Sequence, residues 1–153
     1  MLIILSALSF RISPAVGQEI PDWENPDVIG INKEPAHSSF IPYADIEIAL
    51  KGDPEISPYY QSLNGSWKFN WVRKPADRPK DFYREDFDTG GWANINVPGN
   101  WEMQGYGVPI YIDEGYLFDK NPPKVSHEYN PVGLYRRNFT VPNIWRNRQV
   151  FIH

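Results

Sequence analysis

The chain has 153 residues with 19 Asp plus Glu against 15 Lys plus Arg, a formal charge of −4. That length cannot hold a barrel of about 250 residues, and the acidic balance argues against the basic face that non-specific nucleic-acid binding requires. Eight Phe, nine Tyr and six Trp exclude a disordered tail, 15 Pro and 11 Gly exclude a helical bundle, and the absence of Cys excludes disulfides and thiolate chemistry.

Leu2 to Phe10 is an apolar run too short to span a bilayer. With the small-residue triplet Ala15-Val16-Gly17 behind it, the run predicts a partial signal peptide over residues 1–17 and an exported protein, periplasmic or extracellular. Two features weigh the other way: no Lys or Arg precedes the run, and Arg11 follows it directly. A buried strand, or a start codon assigned too late, is the competing reading, with a cytoplasmic location as the alternative to export.

Residues 18–60 read as an extended arm. Pro21, Pro26, Pro35, Pro42, Pro54 and Pro58 recur every few positions, each removing a backbone donor and turning its predecessor away from helix. Within it Ala44 to Leu50 is open between a strand (Ile46, Ile48, Leu50 alternate) and a helical turn. Trp23, Phe40, Tyr43, Tyr59 and Tyr60 imply that the arm lies across another surface and buries rings there.

Regular structure is expected after Leu63. Trp67, Phe69 and Trp71 alternate with Ser66, Lys68 and Asn70, the period-two signature of a half-buried strand. Pro75 to Asp86 reads as a polar surface loop with a helical turn, and Trp92 to Val97 as a second strand stopped by Pro98. Gly99 to Tyr116 is a long loop rich in Gly and aromatic residues, a length usually associated with function. Gly133 to Val141 alternates again, and Arg148 to His153 begins a further strand, inside which the sequence stops. Three to five strands are therefore expected, in an all-β domain whose sandwich is truncated at the C-terminus.

The side chains carry no self-evident catalytic set. His37, His127 and His153 stand in no metal-ligand spacing, and the glycines of 99–107 lack a phosphate-loop frame. His37 is expected as a packed, hydrogen-bonded arm residue. Arg136 and Arg137 should point to opposite faces of their strand, one pairing with an acidic neighbour and the other facing solvent, with phosphate binding not expected from the sequence alone. Aromatic faces could also stack on the C–H-rich face of a sugar.

The order of short motifs says more. Asp22-Trp23-Glu24-Asn25-Pro26 precedes Asn32-Lys33-Glu34-Pro35-Ala36-His37; Leu63-Asn64-Gly65-Ser66-Trp67-Lys68-Phe69 follows. Then come Val97-Pro98-Gly99-Asn100-Trp101-Glu102-Met103-Gln104-Gly105-Tyr106-Gly107, Pro109-Ile110-Tyr111, Asn121-Pro122-Pro123 and Asn130-Pro131-Val132-Gly133-Leu134-Tyr135-Arg136-Arg137. From about Asp22 to His153 this resembles the N-terminal part of the large bacterial β-galactosidases of glycoside hydrolase family 2.

The resemblance implies that residues 61–153 are the first part of a jelly-roll, galactose-binding-like β-sandwich. Immunoglobulin-like domains and a TIM barrel bearing the two reactive glutamates would follow, so no catalytic residue is expected here. The implied reaction is hydrolysis of terminal non-reducing β-D-galactosyl residues with retention. In the family pattern P-I-Y-T-N-x-x-Y-P the Asn meets a galactose hydroxyl; the matching residue here is Asp113, which keeps an acceptor oxygen, loses the amide donor and adds a charge. Either a sugar hydroxyl donates to Asp113 or Asp113 belongs to a solvated turn. Asp22 and Asn25 match two oxygen ligands of a structural Mg²⁺ site, and serve otherwise as turn and capping residues. Implied partners are β-galactoside sugars, the remainder of the enzyme and other subunits of a homo-oligomer, with no nucleic acid and no membrane span. Two alternatives remain: a non-catalytic carbohydrate-binding or complementing piece, or a family 2 enzyme for another sugar, such as a β-glucuronidase or β-mannosidase.

Overall fold

The computed structural model describes residues 20–111, 113, 115 and 120–153. The expected signal peptide lies outside the described residues. The centre of the molecule is one antiparallel sheet in the order β2-β1-β3, with β1 at Gly65–Val72, β2 at Ala93–Val97 and β3 at Val132–Arg136. The all-β expectation holds: among the described residues the α-helix is a single turn, α1, at Ile46–Ala49. Asp45 caps it, its side chain accepting from the Ile48 amide at 2.8 Å, as a short polar residue does at a helix start. The segment left open by the sequence is therefore a helical turn, with Ile46 and Leu50 exposed rather than on a strand face.

Register decides the two faces of the sheet. Trp67 pairs with Ile95, and Phe69 with both Ala93 and Tyr135. Directly opposed residues share a face, so Trp67, Phe69, Trp71, Ile95 and Tyr135 lie together. Phe69 is 1% exposed and is surrounded by Tyr106 and Tyr135 at 4.7 Å and Trp101 at 6.1 Å between ring centroids. Full burial of a ring of this size contributes about 1.5–3 kcal/mol. Gly133 makes this packing possible, because a Cβ there would strike the Trp101 indole and come within 2.9 Å of Phe69.

The opposite face carries Ser66, Lys68, Asn70 and Val72, paired with Asn96, Asn94, Leu134 and Val132, and with Arg136 opposite Lys68. Leu134 is buried on it. The connection from Arg73 to Trp92 crosses this side: Arg136 Nη1 donates to the carbonyls of Phe82, Arg84 and Phe87 at 3.1, 2.8 and 3.3 Å. Arg137 Nη1 similarly donates to Leu63 and Asn64 carbonyls at 2.5 and 2.6 Å. This corrects the expected division of labour, acid pairing for one and solvent for the other. Both guanidiniums instead donate to backbone carbonyls of irregular segments, which lie outside the strand ladders.

Two further expectations change. β3 ends at Arg136, short of Val141, and residues 148–153 form no strand; a strand exists only where a partner supplies its ladder, and no described segment forms a ladder with residues 148–153. The arm is docked at points. Ser57, buried, donates to the Pro42 carbonyl at 2.6 Å and accepts from the Tyr59 amide at 3.1 Å. Trp145 Nε1 donates to the Pro58 carbonyl at 2.7 Å. Tyr43, Tyr59 and Tyr60 are half-buried, whereas Trp23 and Phe40 are exposed. His37 is exposed as well, its Nδ1 3.0 Å from the Ser38 carbonyl and its ring edge-on to Phe151 at 5.9 Å.

Candidate functional site

The loop after β2 is built from its base upward. Gln104 closes it as a side-chain imitation of a neighbouring strand: its Oε1 accepts from the Asn96 amide at 2.8 Å, and its Nε2 donates to the Asn96 carbonyl at 3.0 Å. A single 3-10 turn at Glu102–Gln104 carries this side chain, flanked by Trp101, whose Nε1 donates to Glu102. Trp101 and Tyr106 press on Phe69 from the aromatic face. Gly107 has φ +68 and lies so close to Trp71 that a Cβ would sit 3.4 Å from the indole nitrogen; only glycine adopts this conformation without strain. The loop base is thus fixed by aromatic packing and two amide hydrogen bonds. Beyond it, residues 108–111 are exposed, and Asp113 sits in an exposed turn. Residues 112, 114 and 116–119 of the motif lie outside the described residues.

The second set comes from the arm. Asp22–Glu24 forms a 3-10 turn closed by the Asn25 amide donating to the Asp22 carbonyl at 3.3 Å. Asn25 Oδ1 accepts from the Asp27 amide at 3.1 Å, an Asx turn of the kind expected for a residue preceding Pro26. Asp22 is exposed. Among the described residues no group of three His, Asp or Glu side chains converges as a metal site. Mg²⁺ takes a near-octahedral set of about six oxygens; this turn offers two residues, one already engaged in the turn, so the residues present do not by themselves make the site.

Between these two lies a residue the sequence reading passed over. Glu24 is 8% exposed and reaches across to the segment after Pro123, with His127 Nε2 at 2.5 Å from Oε1 and the Val125 amide donating to the same oxygen at 3.4 Å. The His127 contact, helped by the Val125 amide, outweighs burial and holds the Glu24 carboxyl below its ordinary value of 4.5. Nearby, Arg78 lies over the Trp23 ring at 5.8 Å. No spacing signals this pairing, since the partners are a hundred residues apart in the chain.

Among the described residues the carboxylates with displaced titration, Glu24, Asp86 and Glu128, all move downward. Lys74 at 3.0 Å lowers Glu128, and Arg84 lowers Asp86 through bonds of 3.0 and 3.3 Å. A glycosidase acid requires the opposite, a carboxyl kept protonated near neutrality.

An aromatic-cored antiparallel sheet with a packed loop on one face and a polar cleft on the other makes a small β domain. Residues 60–153 match the sugar binding domain of glycosyl hydrolases family 2, and the chain belongs to that family; the domain is jelly-roll-like. The chain is 40% identical over 145 residues to a beta-galactosidase of Priestia megaterium, covering 92% of this chain and 14% of that protein. A beta-galactosidase of Psychromonas ingrahamii is 41% identical over 128 residues, 84% of this chain and 12% of its own length. One from Vibrio vulnificus is 43% identical over 115 residues, 75% of this chain and 11% of its own. The chain therefore spans about one seventh or less of these relatives.

Proposed function

We propose that this chain forms the N-terminal portion of a β-galactosidase that hydrolyses terminal non-reducing β-D-galactosyl residues with retention. The observation that carries this reading is the 40% identity to an enzyme of that name over 92% of the chain, a span that takes in the arm as well as the domain. Retaining hydrolysis needs two carboxyl groups about 5–5.5 Å apart, one of them protonated. By the family resemblance the reacting pair belongs to the catalytic barrel rather than to these residues, and the 153 residues alone are expected to be inactive.

In this reading the base of the 99–107 loop, locked by Gln104 and Trp101, presents Asp113 toward the sugar, where its carboxylate accepts from a hydroxyl. Asp22 and Asn25 would supply two oxygens to a Mg²⁺ whose remaining ligands come from elsewhere in the longer polypeptide; the ion would tie the arm to other segments by charge. The exposed apolar residues of the arm suit contact with the rest of the enzyme or with other subunits of a homo-oligomer. Export of the protein, resting on the apolar run at residues 2–10, belongs to the same proposal.

A hybrid enzyme tests it. The aligned N-terminal segment of the Priestia megaterium relative is replaced by this chain, and hydrolysis of chromogenic glycosides is followed in a host without β-galactosidase. The expected result is activity on the β-galactoside well above that on the β-glucuronide or β-mannoside, and none from the 153-residue chain by itself. Turnover by the chain alone, or a folded hybrid preferring another sugar, overturns the assignment.

A further inference from the structure

The sheet face opposite the aromatic core holds a cleft of about 370 Å³ with no role in the reading above. Lys68 and Asn94, cross-strand partners on β1 and β2, form its floor. Arg136 and Arg137 stand at the β3 side, and Thr89 and Glu85 come from the crossing connection. Three cations to one carboxylate in the wall is a local excess of positive charge on a chain whose total is −4. Asp86, next along the connection, is already paired with Arg84.

The cations are held differently. Arg136 and Arg137 are fixed through Nη1 by five backbone carbonyls. A guanidinium has five N–H donors, so each retains donors after this anchoring, and its orientation is set before any ligand arrives. Preorganised charge loses little entropy on binding. Lys68 is the weakly anchored member: its Nζ reaches the Trp92 carbonyl only at 3.5 Å, at the outer limit of a hydrogen bond. The remaining wall offers amide and hydroxyl groups (Asn94, Thr89, Ser66) and one ring, Phe87.

We propose that this cleft binds a single sugar ring carrying one anionic group, a sugar phosphate or a uronate. The size fits, since small-ligand sites run from about 300 to 1,000 Å³, and the lower end admits a monosaccharide rather than an oligosaccharide. Planar guanidiniums favour phosphate or carboxylate oxygens, while amides, hydroxyls and the Glu85 carboxylate pair with ring hydroxyls. The register places the cleft on the sheet face away from Trp101 and Tyr106, so occupancy leaves the loop leading to Asp113 in place. The proposal does not depend on the hydrolytic assignment.

Titration calorimetry on the full 153-residue chain at low ionic strength tests it, with glucose 6-phosphate, glucuronate, galactose and inorganic phosphate as separate probes. At least one anionic sugar should bind about tenfold or more tightly than both galactose and phosphate, and the tighter of the two identifies the anionic group. Lys68→Gln should weaken binding about tenfold, as loss of a charge-assisted hydrogen bond does, and Thr89→Val more modestly, each with an unchanged circular dichroism spectrum. Failure of both anionic sugars to bind, binding of phosphate as tight as that of the sugar phosphate, or indifference to both substitutions overturns the proposal.

Discussion

The sheet and the arm use apolar residues in contrasting ways. On the sheet, Phe69 is enclosed on every side by rings from β3 and from the loop after β2, and its exposure falls to 1%. In the arm, Ile29 is 92% and Leu50 80% exposed, and the segment is held by isolated polar contacts such as Ser57 to Pro42 and Glu24 to His127. Apolar burial is additive over area and cooperative in packing; a hydrogen bond exchanges one partner for water and nets only about 1 kcal/mol. The sheet should therefore melt as a unit, while the arm should open locally at lower cost.

The contrast can be broken most severely at its centre. Phe69→Ala should cost about 3–5 kcal/mol, and tryptophan fluorescence and circular dichroism should lose their transition together in a urea titration. Gly133→Ala follows at about 1–3 kcal/mol, the range for overpacking a filled site, with ring-current shifts displaced at Trp101 and Phe69. Ser57→Ala should cost about 1–2 kcal/mol, leaving the Tyr59 amide and the Pro42 carbonyl without this partner. Its effect should appear as faster amide exchange in residues 42–60 while the sheet amides stay protected; equal loss in both regions would contradict local opening.

Acidification gives the smallest effect. Glu24 and Glu128 are both held below the ordinary 4.5 by His127 and Lys74 respectively. A carboxyl with a depressed folded value stabilises above its unfolded value and loses that contribution as pH falls through the folded one. Protection of the Val125 amide, the donor to Glu24, relative to an unstructured amide at the same pH should hence fall only once pH drops below about 4.5. At the alkaline end the Lys74–Glu128 contact weakens as pH rises through the Lys74 value, which Glu128 holds above 10.5. Both residues are solvent-exposed enough that added salt should mute this second effect.

Legibility in the sequence followed the range of the interaction. The Trp67, Phe69, Trp71 alternation announced β1, and Pro98 announced the end of β2, because period and backbone restriction are local properties. The same alternation over-extended β3 to Val141 and raised a strand at residues 148–153, because alternation marks a pattern able to pair and does not supply the partner. The motif words singled out Asp113, Asp22 and Asn25 as candidates, and of these Asn25 closes a turn. Glu24 stood between two marked residues without a sign of its own, since what distinguishes it is a histidine in a distant segment.

The amino-acid sequence alone settled that this chain builds an aromatic-cored β domain behind a proline-rich arm, because ring periodicity and proline act within a few residues of where they stand. Tertiary structure decided which strands lie side by side, which sheet face is greasy and which is basic, and that both Arg136 and Arg137 bind carbonyls rather than acids. The guanidinium contacts join groups from 49 to 74 positions apart, and only the closed packing of the chain determines which of many possible partners arrives.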